Sequence, residues 1–189
     1  MWVGAAAAVV LVFAFISLFR SCSPGPPVRE EPFRGLMRVL AEEVAGLVDG
    51  EGEVVLIPED REGMNVGFRE AMSRHKKIRL ITAEIPANPM PGIATFSPDA
   101  LRRIVATHPE ADGFVSLRGL PMDFHDELRA SSAKRQRWAV VYSIRMDGVA
   151  EDFPFDLVII PRSSSEAPGG KPKSAREWFD RYYTILRNP

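Results

Sequence analysis

The chain of 189 residues carries 24 Lys and Arg against 25 Asp and Glu, so it lacks the clustered basic excess that neutralising nucleic-acid phosphates requires. A single cysteine, Cys22, excludes an internal disulfide and a thiolate metal cluster. Beyond the first 32 residues, the remaining length suits one ordinary domain with one core.

Trp2 to Phe19 contains only apolar or small residues. At about 1.5 Å per residue a helix of this run is about 27 Å long, close to the hydrocarbon thickness of a bilayer. No Lys or Arg precedes it, whereas a cleaved signal peptide carries a basic start and a shorter apolar stretch. The expectation is an uncleaved, single-pass N-terminal transmembrane anchor at residues 1–20. A linker at 21–32 and a soluble α/β domain at 33–189 follow. Ser21 to Pro27 holds three prolines and a glycine, the composition of an extended, semi-stiff spacer. Two alternatives stay open: cleavage at the small residues Ser21 and Ser23, and lipid attachment at Cys22, whose pattern Arg20 breaks. Arg20, Arg29, Arg34 and Arg38 all follow the run, and the positive-inside rule taken alone leaves the domain in the cytoplasm.

Phe33, Leu36, Met37, Leu40, Val44, Leu47 and Val48 recur at three- and four-residue steps. They predict a helix from Glu31 to Val48, stopped by Asp49-Gly50. Val54-Val55-Leu56-Ile57 is a continuous apolar run ending at Pro58, as in a strand covered on both faces. Met64, Phe68 and Met72 mark a helix ending near His75, and Ile78 to Ile81 is a second strand. Ala83 to Phe96, with three prolines and a glycine, reads as a loop. Ser97 as N-cap and Pro98 at the first helical position open a helix carrying Leu101, Ile104 and Val105. Gly113 to Leu117 is a third strand. Met122, Phe124 and Leu128 lie in a helix entered through Pro121, and Trp138 to Ile144 and Phe155 to Ile160 are the fourth and fifth strands. Ser163 to Lys173 is a polar loop. A capping box at Ser174 and Glu177 then opens a last helix running to about Arg187, with Trp178, Phe179, Tyr182, Ile185 and Leu186 as its apolar face. The fold class is α/β: a doubly wound, five-stranded, mostly parallel sheet of order 2-1-3-4-5 with helices on both faces.

The residues Gly52 to Asp60, then Gly67-Phe68-Arg69-Glu70-Ala71-Met72, then Ile78-Arg79-Leu80-Ile81 resemble the first β-α-β unit in the second lobe of type I periplasmic sugar-binding proteins. Ala100 to Val115, with His108-Pro109-Glu110-Ala111-Asp112-Gly113, is similar to that family's following helix, turn and third strand. The likeness covers residues 50 to 161. It implies an extracytoplasmic ligand-binding lobe, but two ligand-binding patterns differ. The third strand, which in the family ends in Asn-Asp, ends here in Ser116-Leu117-Arg118-Gly119. The fourth, which should end in Gly-x-Asp, ends in Tyr142-Ser143-Ile144-Arg145. The resemblance therefore implies a single lobe with a degenerate sugar site.

Open α/β sheets bind ligands outside the carboxyl ends of their strands. The candidates there are Glu59, Asp60, Arg61, Arg118, Ser143, Arg145 and Arg162. Their guanidinium forks suit an anion; the competing reading is a solvated rim with weak surface ion pairs. Asp123, His125, Asp126 and Glu127 form the densest acid-base cluster, at a spacing unsuited to a metal. His75 and His108 end helices, where a cation complements the dipole. Trp178, Tyr182 and Tyr183 offer an aromatic contact surface, although two of the three are expected to pack on the sheet. No phosphate-binding loop, nucleophile elbow or Cys-x-x-Cys occurs, so neither enzyme activity, nor a cofactor, nor a metal is expected. The leading functional expectation is a membrane-anchored, non-catalytic accessory module with protein partners in a larger membrane assembly. The alternative is a lobe that binds or senses a small ligand, a sugar or an anion, and completes its site by oligomerising or joining a separate lobe. The resemblance favours a domain outside the cytoplasm.

Overall fold

Val54 to Ile57 offers no polar side chain to either side, and all four residues are fully buried. Such a strand must be covered on both faces. The computed structural model describes residues 31–60, 62–85, 97–121, 124–125, 127–128, 136–142, 153–162 and 172–188. In it β1 (Gly52–Ile57) lies between β2 (Ile78–Thr82) and β3 (Gly113–Ser116), parallel to both. β4 (Arg137–Val141) and β5 (Leu157–Pro161) continue the parallel sheet. β6 (Tyr183–Arg187) adds to β5 antiparallel, giving the order β2-β1-β3-β4-β5-β6.

Alternate residues along each strand serve opposite faces. Val54, Leu56, Val115, Leu117, Ala139, Val141, Leu157 and Ile159 form one core with α1 (Glu31–Leu47), α2 (Glu62–Met72) and α4 (Ala175–Tyr182), through residues such as Leu40, Phe68 and Phe179. Val55, Ile57, Phe114, Trp138, Val140 and Val158 form the other, with α3 (Pro98–Thr107), Phe124, Phe153 and Phe155. Phe114 stacks on Trp138 at a centroid distance of 4.6 Å. The Ser97 side chain caps α3 by accepting from the Ala100 N–H at 3.2 Å. In α4, Ser174 Oγ accepts from the Glu177 N–H at 3.1 Å, while Glu177 Oε2 accepts from the Lys173 N–H at 2.8 Å. The box thus closes one residue earlier than its usual form, in which the acid reaches the N-cap residue itself.

The five expected strands are present in the expected order, and a sixth joins them. The helix expected to run to about Arg187 ends at Tyr182, and Tyr183–Arg187 is a strand. Ile185 and Leu186 stand three and four residues from Tyr182, which mimics helical spacing. However, Tyr183, Thr184 and Ile185 are aromatic or β-branched and favour a pleated surface. In the strand Ile185 packs on one core and Leu186 on the other, the two-residue alternation of a sheet. The expected anchor and most of the linker lie outside the described residues, as do the loop at 86–96 and most of the one at 163–173. Among the described residues no helix is long and apolar enough to cross a membrane. Residues 124–125 and 127–128 are helical, as expected after Pro121.

Two glycines of α1 give opposite expectations. A Cβ at Gly35 would lie 2.8 Å from the Ala175 carbonyl oxygen and 3.0 Å from Trp178 Cβ, whereas one at Gly46 would meet nothing within 4 Å. Gly35→Ala should therefore destabilise the domain by about 1–3 kcal/mol through overpacking. Gly46→Ala should stabilise it by about 0.4–1 kcal/mol by restricting the unfolded chain. Urea denaturation of the two variants checks both signs.

Candidate functional site

β1 leads into α2 on one face of the sheet, whereas α3 enters β3 from the other. The crevice between the carboxyl ends of β1 and β3 is therefore the topological switch point. Glu59 and Asp60 leave β1 there and Arg118 leaves β3. Asn65, buried in the first turns of α2, holds the β1 exit: its Oδ1 accepts from the Glu59 N–H at 2.9 Å and its Nδ2 donates to the Glu59 carbonyl at 2.7 Å. The β3 exit is held by Ser116, whose buried hydroxyl donates to the Gly119 carbonyl at 2.6 Å. Gly119 has φ of 72°, and a Cβ there would lie 3.0 Å from the Tyr142 ring, so only glycine closes this turn without strain. Between these two supports Arg118 Nη2 donates to Asp60 Oδ1 at 2.7 Å, bridging the crevice with the chain's own ion pair. The pair is lopsided, because the Arg118 side chain is 10% exposed and that of Asp60 73%.

Arg162 follows β5 on the same rim, and its backbone N–H donates to the Tyr182 carbonyl at 2.7 Å. Glu59 Oε2, Arg118 Nε and Arg162 Nε are all buried atoms, an arrangement costly to any charge that lacks compensation. Tyr183, opposite Pro161 in the sheet, has its hydroxyl pushed up, first by burial and then by the Glu59 carboxylate. It therefore stays a neutral donor at ordinary pH. Of the seven rim candidates, Glu59, Asp60, Arg118 and Arg162 sit at the strand ends as expected. Arg61, Ser143 and Arg145 lie outside the described residues. Asn65 was not anticipated, and Tyr183 was expected only as part of an aromatic contact surface. Asn65 had a readable signal, because it shares the apolar stripe of Phe68 and Met72 at three- and seven-residue steps.

The other candidates have structural partners. His125 is buried, its Nε2 3.2 Å from the Tyr142 hydroxyl and its ring edge-on to Phe155 at 4.8 Å. Glu127 accepts from Arg102 Nε at 2.8 Å, and this hydrogen bond holds its carboxyl below the usual range. Asp123 and Asp126 lie outside the described residues, among which no group of three or more His, Cys, Asp and Glu could hold a metal. His108 ends α3 through its backbone N–H, bonded to Ile104 and Val105, and His75 closes the turn after α2 by donating to the Met72 carbonyl at 2.9 Å. Tyr183 packs on the sheet core, 5.7 Å from Phe179. Trp178 and Tyr182 stack on each other at 5.9 Å on α4 instead. A pocket of about 430 Å³ between β2 and α3, lined by Thr82, Glu84, Arg103 and His108 among others, contains none of the rim residues.

No protein-family model matches the chain, and no curated protein is similar to it in sequence. Among solved structures, its fold is similar to a sugar-binding protein of a sugar ABC transporter from Bacillus halodurans. The TM-score is 0.52 at 18% identity, over 68% of this chain and 45% of that one. An arabinose-binding protein from Geobacillus stearothermophilus gives 0.51 at 14% identity, over the same 68% and 45%. The fructose-binding periplasmic domain of a hybrid two-component system gives 0.51 at 15%, again over 68% and 45%. The match thus spans under half the length of each of these proteins, and at these identities the likeness is one of fold.

Asn65→Ala should cost about 1–3 kcal/mol, because it leaves the Glu59 backbone groups unsatisfied in a part-buried turn; urea denaturation at neutral pH reads this directly. A pH effect follows from the tyrosines. Burial pushes the Tyr142 hydroxyl up to about 12, whereas an unfolded tyrosine ionises near about 10. Between these values the unfolded chain has released a proton that the folded one keeps. Stability should thus be flat below about pH 10 and fall as pH rises toward about 12. Tyr142→Phe should flatten part of that fall, as followed by urea denaturation on either side of the unfolded value.

Proposed function

We propose that this domain is the ligand-binding lobe of a small-molecule binding or sensing protein of the periplasmic-binding-protein type. The ligand, a sugar or a small organic anion, sits at the rim formed by Glu59, Asp60, Arg118 and Arg162. The observation that carries this reading is the coincidence of two facts: the fold is similar to that of sugar-binding proteins, and charged side-chain atoms are buried at the carboxyl ends of its strands. The rim is a degenerate version of the site implied by the resemblance. It lacks the Asn-Asp pair after β3, and the crevice is bridged by Arg118 and Asp60. The match covers 45% of the neighbours' length, and this reading needs a second lobe, gained by oligomerising or by joining a separate lobe, to close over the rim. The apolar run from Trp2 to Phe19 holds the lobe at a bilayer, on its outer side.

A second reading, favoured by that apolar run and by the self-bridged crevice, is a non-catalytic accessory module of a membrane assembly. Thermal unfolding across a panel of sugars and organic anions separates the two. A ligand present at about 100 times its Kd should stabilise the lobe by about 2.7 kcal/mol. No response across the panel, together with copurification of a stoichiometric protein partner from gently solubilised membranes, would replace the ligand lobe with the accessory module. A reporter fused after Pro189 and active only in the cytoplasm would reverse the orientation.

A further inference from the structure

Three described arginines are only half-buried where the rest are exposed: Arg118, Arg162 and Arg181. Arg118 is paired with Asp60, and Arg181 has an interaction partner of its own. Arg162 differs. Its Nε is buried and makes no hydrogen bond, and among the described residues no carboxylate pairs with it. A guanidinium stays charged at any ordinary pH; here its Nε is withdrawn from water while the residue as a whole is half-buried, so the charge is held at the rim with no fixed anion facing it among the described residues. The lengthwise position of Arg162, immediately after β5 and anchored by its backbone to Tyr182, puts this charge on the ligand rim rather than on an outer helix face.

The Arg118 pair points the same way. Its acid, Asp60, is mostly in water, so it is a weakly held surface partner that another anion can displace. β3 and β5 are separated only by β4. At the usual spacing between strands their axes are about 10 Å apart, a gap that two arginine side chains and one small anion can fill.

Resting on the ligand-lobe reading above, we infer that Arg162, with Arg118 released from Asp60, binds the anionic group of a small polyhydroxylated acid, and that the preferred ligand is a sugar acid rather than a neutral sugar. Bidentate guanidinium contacts to a carboxylate provide both the charge and the planar geometry.

The test uses the solubilised full chain and matched probes that differ in one group, D-galacturonate against D-galactose and D-gluconate against D-glucose, with affinity measured calorimetrically. At least one acid should bind ten or more times more tightly than its neutral partner. R162Q should reduce that ratio to near one while leaving the ligand-free unfolding midpoint in place, and R162K should keep part of it. If R162Q lowers the ligand-free midpoint, the R162K ratio decides, and a complete loss there overturns the inference. Neutral sugars binding as tightly as the acids, or R162Q retaining the preference, overturn the inference and leave the lobe reading intact. Absence of binding by all four probes overturns the inference, and the wider panel of sugars and organic anions then decides the lobe reading.

Discussion

A strand buried on both faces has nowhere to put a polar side chain except at its ends. β1 and β3 are in this position, walled by α1, α2 and α4 on one side and by α3 and the Phe124, Phe153 and Phe155 cluster on the other. Polar chemistry is thereby pushed to the turns that follow the strands, and the support of those turns decides what the rim can do. Two buried polar side chains provide it, Asn65 for the β1 exit and Ser116 for the β3 exit. Each is satisfied by main-chain partners, and buried polar groups of this kind specify one conformation as well as stabilising it. The rim is therefore a set of fixed backbone exits carrying long charged side chains.

That arrangement bears on the balance between scaffold and ligand site. The Arg118 and Asp60 pair fills the switch-point crevice, the feature a pure scaffold would be content with. The Nε atoms of Arg118 and Arg162 are withdrawn from water beside it. Partners of its own remove the cluster around His125 from that balance. Its imidazole is occupied by Tyr142 and Phe155, and Glu127 is tied to Arg102 on α3. These contacts fasten the helical residues after Pro121 to the sheet and to α3, and leave that side of the domain without free reactive groups among the described residues.

Much of the fold was legible because the strands are short, apolar and separated by helices with clear start signals; Ser97 and Ser174 both cap where their spacing says they should. The strand order followed from the alternation of elements. β6 was illegible because Tyr182, Ile185 and Leu186 satisfy helical and strand periodicities together. The β propensity of Tyr183, Thr184 and Ile185 is a local hint, but the open β5 edge that receives the strand is a tertiary fact. The rim behaved likewise. Glu59, Asp60, Arg118 and Arg162 lie at the strand carboxyl ends, where the rule that ligands gather there had put them. Tyr183 was hidden by the misread helix, and the clamp by Asn65 depends on where α2 lies against the loop before it.

The contact between α1 and α4 ties the first described helix to the last. Gly35 lies against the Ala175 carbonyl and Trp178, and Glu43 accepts a hydrogen bond from Arg187 across 144 positions of chain. One wall of the core is thus built from both ends of the domain at once. During synthesis α1 leaves the ribosome early, yet the surface it must cover is incomplete until β6 has followed. Part of its apolar stripe meets α2, where Gly67 lies against Met37, but its contact with α4 needs the far end of the domain, a pairing of high contact order. Until that contact forms, the α1 surface turned toward α4 stays uncovered, and this is the interval in which aggregation competes with folding.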